Sequence, residues 1–156
     1  MTDITTLRRI LNTHQRVAMV GLSAHWSRPS FFAAKYLLER GFEVIPVNPK
    51  YAEILGQECY PDLQSIPTPV DIVDLFQKAE RVPPFVDAAI AIGAKVVWMQ
   101  LGIINQEAAQ KASDAGLEVV MDRCMKIEYA RIFGGLNTIG VNTRIISAKR
   151  PSFVNF

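Results

Sequence analysis

Cysteine, net charge and long apolar runs are scarce in this sequence, and each scarcity excludes a class of protein. Only Cys59 and Cys124 occur among 156 residues, so neither a disulfide framework nor a cysteine-rich metal site is expected. No segment approaches the roughly 20 consecutive apolar residues of a membrane span, and residues 1–12 lack the apolar core of a secretory signal. The formal net charge of +2 is too small for a dedicated nucleic-acid binder. We therefore expect a reduced, cytoplasmic protein with no membrane or nucleic-acid partner and with no protein partner identified by its sequence.

The remaining composition is that of an ordinary globular domain, with 49% hydrophobic and 21% charged residues. A length of 156 residues fits one domain with a sizeable core. We predict a single domain over 1–156, with an N-terminal helix at 3–14, a core at 16–122, and a C-terminal helix and basic tail at 125–156. No acid follows Glu128, so the tail is either a solvated segment or a surface for an anion.

Three segments share one pattern of glycine, an apolar residue, a charged residue and two β-branched residues: Gly41–Ile45, Gly93–Val97 and Gly116–Val120. Each closes a helical stretch and opens a strand, so we interpret them as three helix-to-strand joints. Further strands are predicted at 17–20 and 70–76, and helices at 29–40, 84–92, 106–115 and 125–133. This order predicts an α/β fold, a three-layer, doubly wound parallel sheet of about five strands with helices on both faces.

One connection in this pattern is unusually long. Residues 48–69 contain Pro49, Gly56, Pro61, Pro67 and Pro69, which favour a loop. We predict a short helix near 63–66 within it. Long ordered loops in compact domains are often functional.

The segment from Val17 to Ser30 is the first candidate site. Four apolar residues end at Gly21, a short polar loop follows, and Pro29 opens a helix. A buried strand that leads into a helix N-terminus presents unpaired backbone N–H groups, and the helix dipole there favours negative charge. The segment therefore predicts a phosphate-binding loop.

Ligands of open parallel sheets lie outside the carboxyl ends of the strands. The residues that follow the predicted strands are mostly hydroxyls, amides and cations, which suit an anionic nucleotide. The candidates are Gly21, Ser23, Ser27, Arg28, Pro29 and Ser30 after the first strand, Asn48, Pro49 and Lys50 after the second, Phe76 after the third and Gln100 after the fourth.

The loop does not match the fingerprint of a plain NAD-binding domain. Of the three glycines in G-x-G-x-x-G only Gly21 is present, because Ser23 and Trp26 occupy the other two positions. Lys50 stands where an acid would hold the ribose hydroxyl. A cation there indicates an extra phosphate on the ribose, as in coenzyme A (CoA) or NADP.

Together these motifs resemble the stand-alone CoA-binding domain proteins, relatives of the CoA-binding domain of the succinyl-CoA ligase α-subunit and of ADP-forming acyl-CoA synthetases. The resemblance covers roughly 16–128 and rests on Gly21–Ala24, Ser27–Ser30, Val44–Lys50, Val70–Asp74, Ile90–Lys95, Gln100–Gly102 and Asp122–Glu128. It implies a Rossmann-like domain that binds CoA or an acyl-CoA across the strand ends. By position, Gly21, Ser23 and Ala24 would meet the CoA phosphates, Lys50 would pair with a phosphate near the adenosine, and Met99, Gln100 and Leu101 would line the pantetheine path.

The sequence departs from the ligase domain in the first loop, where Trp26, Arg28 and Pro29 replace further glycines. We therefore expect the Arg28 side chain to supply part of the phosphate-binding charge, and Ser30 to cap the following helix. The ligases also use a phosphorylated histidine on a second domain. Only His14 and His25 occur here, so binding without catalysis is the simpler hypothesis.

Two alternatives remain open at this point. A small NADP-dependent or other nucleotide-dependent enzyme would need an acid or base, for which the candidates His25, Asp122 and Tyr129 are scattered along the chain. A ligand-sensing interaction module would use the basic tail at 144–150 to contact a partner. We interpret Cys124 as a buried, inert thiol, and Asp122 and Glu128 as structural.

Overall fold

The computed structural model describes residues 2–134. The predicted tail at 144–150 lies outside them. In chain order the elements are α1 (Ile4–Thr13), β1 (Arg16–Val20), α2 (Pro29–Glu39), β2 (Glu43–Val47), β3 (Glu53–Ile54), β4 (Gln57–Glu58), β5 (Ile72–Leu75), α3 (Val82–Ala91, after a 3-10 turn at Ala79–Arg81), β6 (Val96–Met99), α4 (Gln106–Asp114), β7 (Glu118–Val120) and α5 (Met125–Phe133). Five strands form one parallel sheet in the order β2–β1–β5–β6–β7, which confirms the predicted α/β class.

The three repeated joints are one helix-ending motif used three times. Gly41, Gly93 and Gly116 follow α2, α3 and α4 with φ angles of +92°, +74° and +91°. In each joint the N–H group after the glycine donates to the carbonyl five residues earlier, as in the bond from Phe42 to Leu37 at 3.0 Å. This is the Schellman arrangement, in which a left-handed residue satisfies the last carbonyls of a helix. The glycine pattern in the sequence therefore has a local backbone cause.

The sheet is covered on both faces, as a doubly wound fold requires. Successive residues of β1 alternate between the two core layers, with Val17 and Met19 on one side and Ala18 and Val20 on the other. The first layer is completed by α1, α2 and α5, and the second by α3 and α4. Every residue of β5 and β6 is buried. Strands that are buried on both faces explain the nearly continuous apolar runs in the sequence.

The long connection after β2 differs from its prediction. Residues 63–66 form a turn instead of the predicted short helix, with one bond from the Ile66 N–H group to the Leu63 carbonyl at 3.3 Å. A hairpin of β3 and β4 precedes it, and its two-residue turn at Leu55 and Gly56 has positive φ angles of 52° and 75°. Two positive φ angles are typical of the tight type I′ turn. The prediction missed the hairpin because leucine rarely occupies such a turn.

No helix within residues 2–134 is both long enough and apolar enough to cross a membrane.

Candidate functional site

The ends of three neighbouring strands are joined by backbone hydrogen bonds just beyond the sheet. The Gly21 N–H group donates to the Val47 carbonyl, and the Phe76 N–H group donates to the Val20 carbonyl, both at 2.9 Å. β1 is the point where the sheet order reverses, because the chain first adds β2 on one side and then β5 on the other. In open α/β sheets the ligand crevice lies at this switch point.

Gly21 is required here by a close approach of two backbones. Its φ angle is +84°, a conformation that costs about 1–2 kcal/mol for a residue with a side chain. A Cβ atom at this position would overlap the Phe76 carbonyl oxygen and would lie 2.8 Å from Nε2 of Gln77. The first loop therefore packs directly on the segment that follows β5.

The loop between β1 and α2 is organised by its own hydroxyl groups. Ser30 Oγ accepts from the Ser23 N–H group, and Ser23 Oγ accepts from the His25 N–H group, both at 3.1 Å. Ser27 Oγ lies 3.2 Å from Nδ1 of His25. The prediction that Ser30 caps α2 is wrong, because Arg28 occupies the N-cap position and Pro29 is the first helical residue. Ser30, the second helical residue, is buried and binds the loop instead.

Free donors remain in the same loop. The backbone N–H groups of Ala24, Trp26 and Ser27 make no hydrogen bond to any residue in the described range 2–134. The loop is exposed from Ala24 to Pro29, and the side chain of Trp26 is 69% exposed. An anion at the start of α2 could therefore reach several unsatisfied donors.

Asn48 joins the second predicted loop to the first. Its Nδ2 donates to the Leu22 carbonyl at 3.1 Å, and its Oδ1 accepts from the Lys50 N–H group at 3.0 Å. Pro49 and Lys50 are exposed at the tip of this turn. Neither Lys50 nor Arg28 forms an ion pair within residues 2–134. Two cations without an ion-pair partner among these residues therefore lie on loops that a side-chain amide holds together.

The residues after β5 and β6 differ in their access to this crevice. Phe76 is partly buried against the layer that contains α2 and α5. Met99 is fully buried in the opposite layer, so it departs from the expected position along a ligand path. Side chains of β6 alternate between the two faces of the sheet, and Met99 lies on the face that α3 and α4 cover. Gln100 is 4% exposed at the strand end, and Leu101 beyond it is 46% exposed.

Asp74 is a polar residue of this region to which the sequence analysis assigned no role. It is completely buried on β5, and Gln100 Nε2 donates to its Oδ1 across the β5–β6 pair. Its Oδ2 has no hydrogen-bond partner among the described residues. Burial raises the pKa of Asp74 to about 7, and the bond from Gln100 opposes the rise. The only signal in the sequence was an acid between apolar neighbours in a predicted buried strand.

Comparison with known proteins shows which family this chain belongs to. The model of a family described as CoA binding domain matches residues 15–130. This chain belongs to that family. It is 37% identical over 124 residues to the uncharacterized protein YneT of Bacillus subtilis, covering 80% of this chain and 92% of YneT. Its fold is similar to that of a hypothetical protein from Pyrococcus horikoshii, with a TM-score of 0.83 and 44% identity over 85% of this chain and 94% of that one.

The same domain is similar to part of a much larger protein. The acetate–CoA ligase (ADP-forming) II of Archaeoglobus fulgidus is 32% identical over 127 residues. The match covers 80% of this chain but 18% of the ligase. The expected relation to the CoA-binding domains of ligases is therefore confirmed, together with the Rossmann-like fold.

Two acidic residues of this CoA binding domain connect the loops after β6 and β7 and helix α5. Asp122, with a φ angle of +60°, accepts from the Gly102 N–H group at 2.7 Å and so joins the loops after β6 and β7. Glu128 is fully buried between Arg123 and Arg131, with Arg131 Nε donating to it at 3.1 Å. Both contacts agree with the structural roles that we expected for these acids.

Cys124 lies at the start of α5, next to these contacts. Burial raises the pKa of its thiol, and the charge of Asp74 raises it further. A protonated thiol is a poor nucleophile at neutral pH. The inert role expected for Cys124 agrees with this environment.

A second concave region of the CoA binding domain lies away from the crevice. A groove of about 590 Å³ runs between α1, α4 and β7. Hydroxyls, amides and the acids Asp3 and Glu118 dominate its polar lining, and no lysine or arginine from residues 2–134 lines it. It therefore lacks the cations that phosphates require, unlike the loops that follow β1 and β2.

Proposed function

We propose that this protein binds CoA or an acyl-CoA, through the loop after β1 and the Asn-Pro-Lys loop after β2, and does so without catalysis. One observation carries the proposal. Asn48 connects the two loops while Arg28 and Lys50 remain exposed and without ion-pair partners in the described range. Two cations on loops that are linked in this way suit a ligand with phosphates at two places.

Arg28 supports a bound anion through its position on the helix. It occupies the N-cap of α2, and its side chain makes no capping hydrogen bond. A cation near a helix N-terminus is unfavourable, because the unsatisfied N–H groups there already carry partial positive charge. A phosphate at this point would interact favourably with both the guanidinium and the free N–H groups of Ala24, Trp26 and Ser27.

Lys50 supports a ligand with an additional phosphate on its ribose. It follows β2, at the position where NAD-binding domains place an acid for the ribose hydroxyl. The 3′-phosphate of CoA provides the negative charge that a lysine there would pair with. The same argument extends to the 2′-phosphate of NADP, so the experiment must separate these two ligands.

The rest of the crevice suits an elongated ligand. From β2 to β6 the carboxyl ends span three strand spacings, or about 14 Å. Leu101, at the far end, is 46% exposed and offers an apolar surface for the pantetheine arm. Gln100 beside it offers a polar group.

The side chains around the crevice favour binding over catalysis. His25 contacts the Ser27 hydroxyl on an exposed loop, and Asp74 is buried against Gln100. A hydrolytic site would require a nucleophile, a base and an orienting group in mutual contact. No such triple is formed by these groups of the described chain. We therefore expect acetyl-CoA to release thiol at the same rate with and without the protein in a colorimetric thiol assay.

Isothermal titration with CoA, dephospho-CoA and NADP tests the proposal. We expect CoA to bind most tightly, because only CoA combines the 3′-phosphate with a pantetheine arm. Lys50→Ala should weaken CoA binding about five- to tenfold and dephospho-CoA binding much less, since one charge-assisted hydrogen bond is lost only in the first case.

Lys95→Ala is the matched control, because Lys95 is an exposed lysine next to the amino end of β6, at the opposite edge of the sheet. It should leave all three affinities unchanged. Absence of heat with CoA would refute the proposed function. Equal affinity for CoA and dephospho-CoA would remove the role of Lys50, and tighter binding of NADP would favour a nucleotide-dependent enzyme.

A further inference from the structure

The buried carboxyl–carboxamide pair of Asp74 and Gln100 is not explained by packing. Among the described residues, Oδ2 of Asp74 is the one buried side-chain nitrogen or oxygen atom that has no hydrogen-bond partner. A buried oxygen without a hydrogen bond is unfavourable, by about 1–3 kcal/mol for a typical polar group. Such groups occur mainly where function or an absent partner requires them. This one lies at the carboxyl ends of two neighbouring strands, beside the proposed ligand site.

Backbone hydrogen bonds fix the position of Gln100 at the end of β6. Its backbone carbonyl accepts from the Ile103 N–H group at 2.8 Å, and the preceding carbonyl, of Met99, accepts from the Arg123 N–H group at 3.3 Å. Its side chain is bound to Asp74 through Nε2, while Oε1 makes no hydrogen bond to a described residue. A carboxamide carries a donor at one end and an acceptor at the other. If Nε2 of Gln100 is bound to Asp74, Oε1 is left for the crevice, and if Oε1 is bound, Nε2 is left.

The protonation state of Asp74 decides which end that is. An ionised carboxylate only accepts hydrogen bonds, so it must hold Nε2 and leave Oε1 available. A neutral carboxylic acid can donate its O–H to Oε1, and the amide then turns over and leaves Nε2 available. Because burial raises the pKa of Asp74 to about 7, both states exist near neutral pH.

Few other charged groups face Asp74. Its neighbours across the sheet are Met19 on β1 and Trp98 on β6, which do not titrate. Cys124 interacts with it from the start of α5, and burial keeps that thiol protonated near neutral pH. Glu128, the buried acid of α5, is already paired with two arginines. The proton on Asp74 is therefore the main variable of this buried region.

We propose that Asp74 is a positioning residue that sets which end of the Gln100 amide meets the ligand. With Asp74 ionised, Gln100 presents an acceptor to an N–H group of the ligand; with Asp74 protonated, Gln100 presents a donor. The inference rests on the proposed function for the identity of that N–H group, which is a secondary amide of the pantetheine arm. CoA affinity should then decrease as the pH falls through neutrality.

The switch itself can be tested on the protein alone by NMR. We expect the side-chain carbon of Asp74 and the side-chain NH₂ of Gln100 to shift together with one midpoint near pH 7. In Asp74→Asn the Gln100 step should disappear. The matched control is the exposed pair in which Gln110 Nε2 donates to Asp114 Oδ1 at 2.8 Å. The side-chain NH₂ of Gln110 should not follow the step of Asp74. A Gln100 amide that does not respond to Asp74, or that still titrates in the variant, overturns the proposal.

The effect on the ligand is tested by CoA affinity from about pH 5 to about pH 9, where ordinary histidines and phosphates also titrate. Dividing the wild-type affinity by that of Asp74→Asn at each pH cancels every titration that the two proteins share, together with that of the CoA phosphates. We expect this ratio to fall about tenfold between the alkaline and acidic limits, the loss of roughly one hydrogen bond. Gln100→Met should abolish the step while the Asp74 carbon still titrates. A flat ratio, or one that rises on acidification, overturns the acceptor role. If CoA does not bind at any pH, the proposed function fails, and the NMR titration still decides the switch.

Discussion

Replacing Gly21 with alanine is the most direct test of how the first loop is built. The substitution introduces two separate costs. The first is conformational, because the φ angle of +84° costs about 1–2 kcal/mol once a Cβ is present. The second is steric, because the new Cβ overlaps the Phe76 carbonyl oxygen. That oxygen cannot easily retreat, since the N–H group of the same residue is bonded to Val20 at 2.9 Å.

Gly41→Ala separates the two costs. Gly41 has a similar φ angle of +92°, but, apart from its chain neighbours, no atom of residues 2–134 lies within 4 Å of a Cβ placed there. This control should therefore lose only the conformational part, about 1–2 kcal/mol. Overpacking a tight contact adds about 1–3 kcal/mol, so we expect Gly21→Ala to lose about 2–5 kcal/mol in total.

The free energy of unfolding of both variants is measured by urea unfolding at 25 °C. The two values can be compared if the slope of the unfolding free energy against urea concentration is unchanged. Gly21→Ala should also weaken CoA binding, because relief of the overlap moves the loop away from the end of β5. Gly41→Ala should leave binding unchanged. Equal losses of stability in the two variants, within about 0.5 kcal/mol, would refute the claim that backbone contact, and not backbone conformation alone, requires Gly21.

Two further predictions concern buried acids. Because the pKa of Asp74 is raised from 3.8 to about 7 on folding, the native state binds its proton more tightly than the unfolded state does. The free energy of unfolding of the wild type, measured relative to Asp74→Asn, should therefore fall by on the order of 2–4 kcal/mol as the pH rises from about 4 to about 7. A difference between the two proteins that does not change with pH in urea unfolding would contradict this. Glu128→Gln should destabilise the protein by about 3 kcal/mol, because it leaves two partly buried arginine side chains without the buried carboxylate that pairs with them. The control is Asp87→Asn, which breaks an exposed ion pair with Lys111 and should cost less than about 1 kcal/mol. Similar melting-temperature shifts for Asp87→Asn and Glu128→Gln would contradict the stabilising role of the Glu128 ion pairs.

Local patterns accounted for most of the fold. The three glycine joints predicted where α2, α3 and α4 end, and the structure places a left-handed glycine at each. The last helix was predicted at 125–133 and is observed at Met125–Phe133. Asn105 caps α4, with its Oδ1 accepting from the Ala108 N–H group at 3.0 Å. These features depend on residues within about one helical turn of each other, so a single sequence contains all the information.

The sequence predicted which residues lie at the candidate site, but it did not predict which of them contact each other. Gly21, Ser23, Asn48 and Lys50 were all expected at the strand ends, since the carboxyl edge of a parallel sheet collects its loops. Ser30 was wrongly expected to act as a helix cap, because a serine beside Pro29 carries that local signal. Its actual partner, the Ser23 N–H group, depends on how the loop folds back.

Tertiary structure alone decided the pairings across the sheet. Asn48 reaches Leu22 over 26 positions, and Gln100 reaches Asp74 over another 26. Strand order and register bring these residues together, and neither is encoded in the spacing of one segment. The sequence by itself determined the α/β order, the helix ends and the cationic character of the strand ends. The fold determined which of those groups meet, because hydrogen bonds between distant residues form only once the sheet has set their distances.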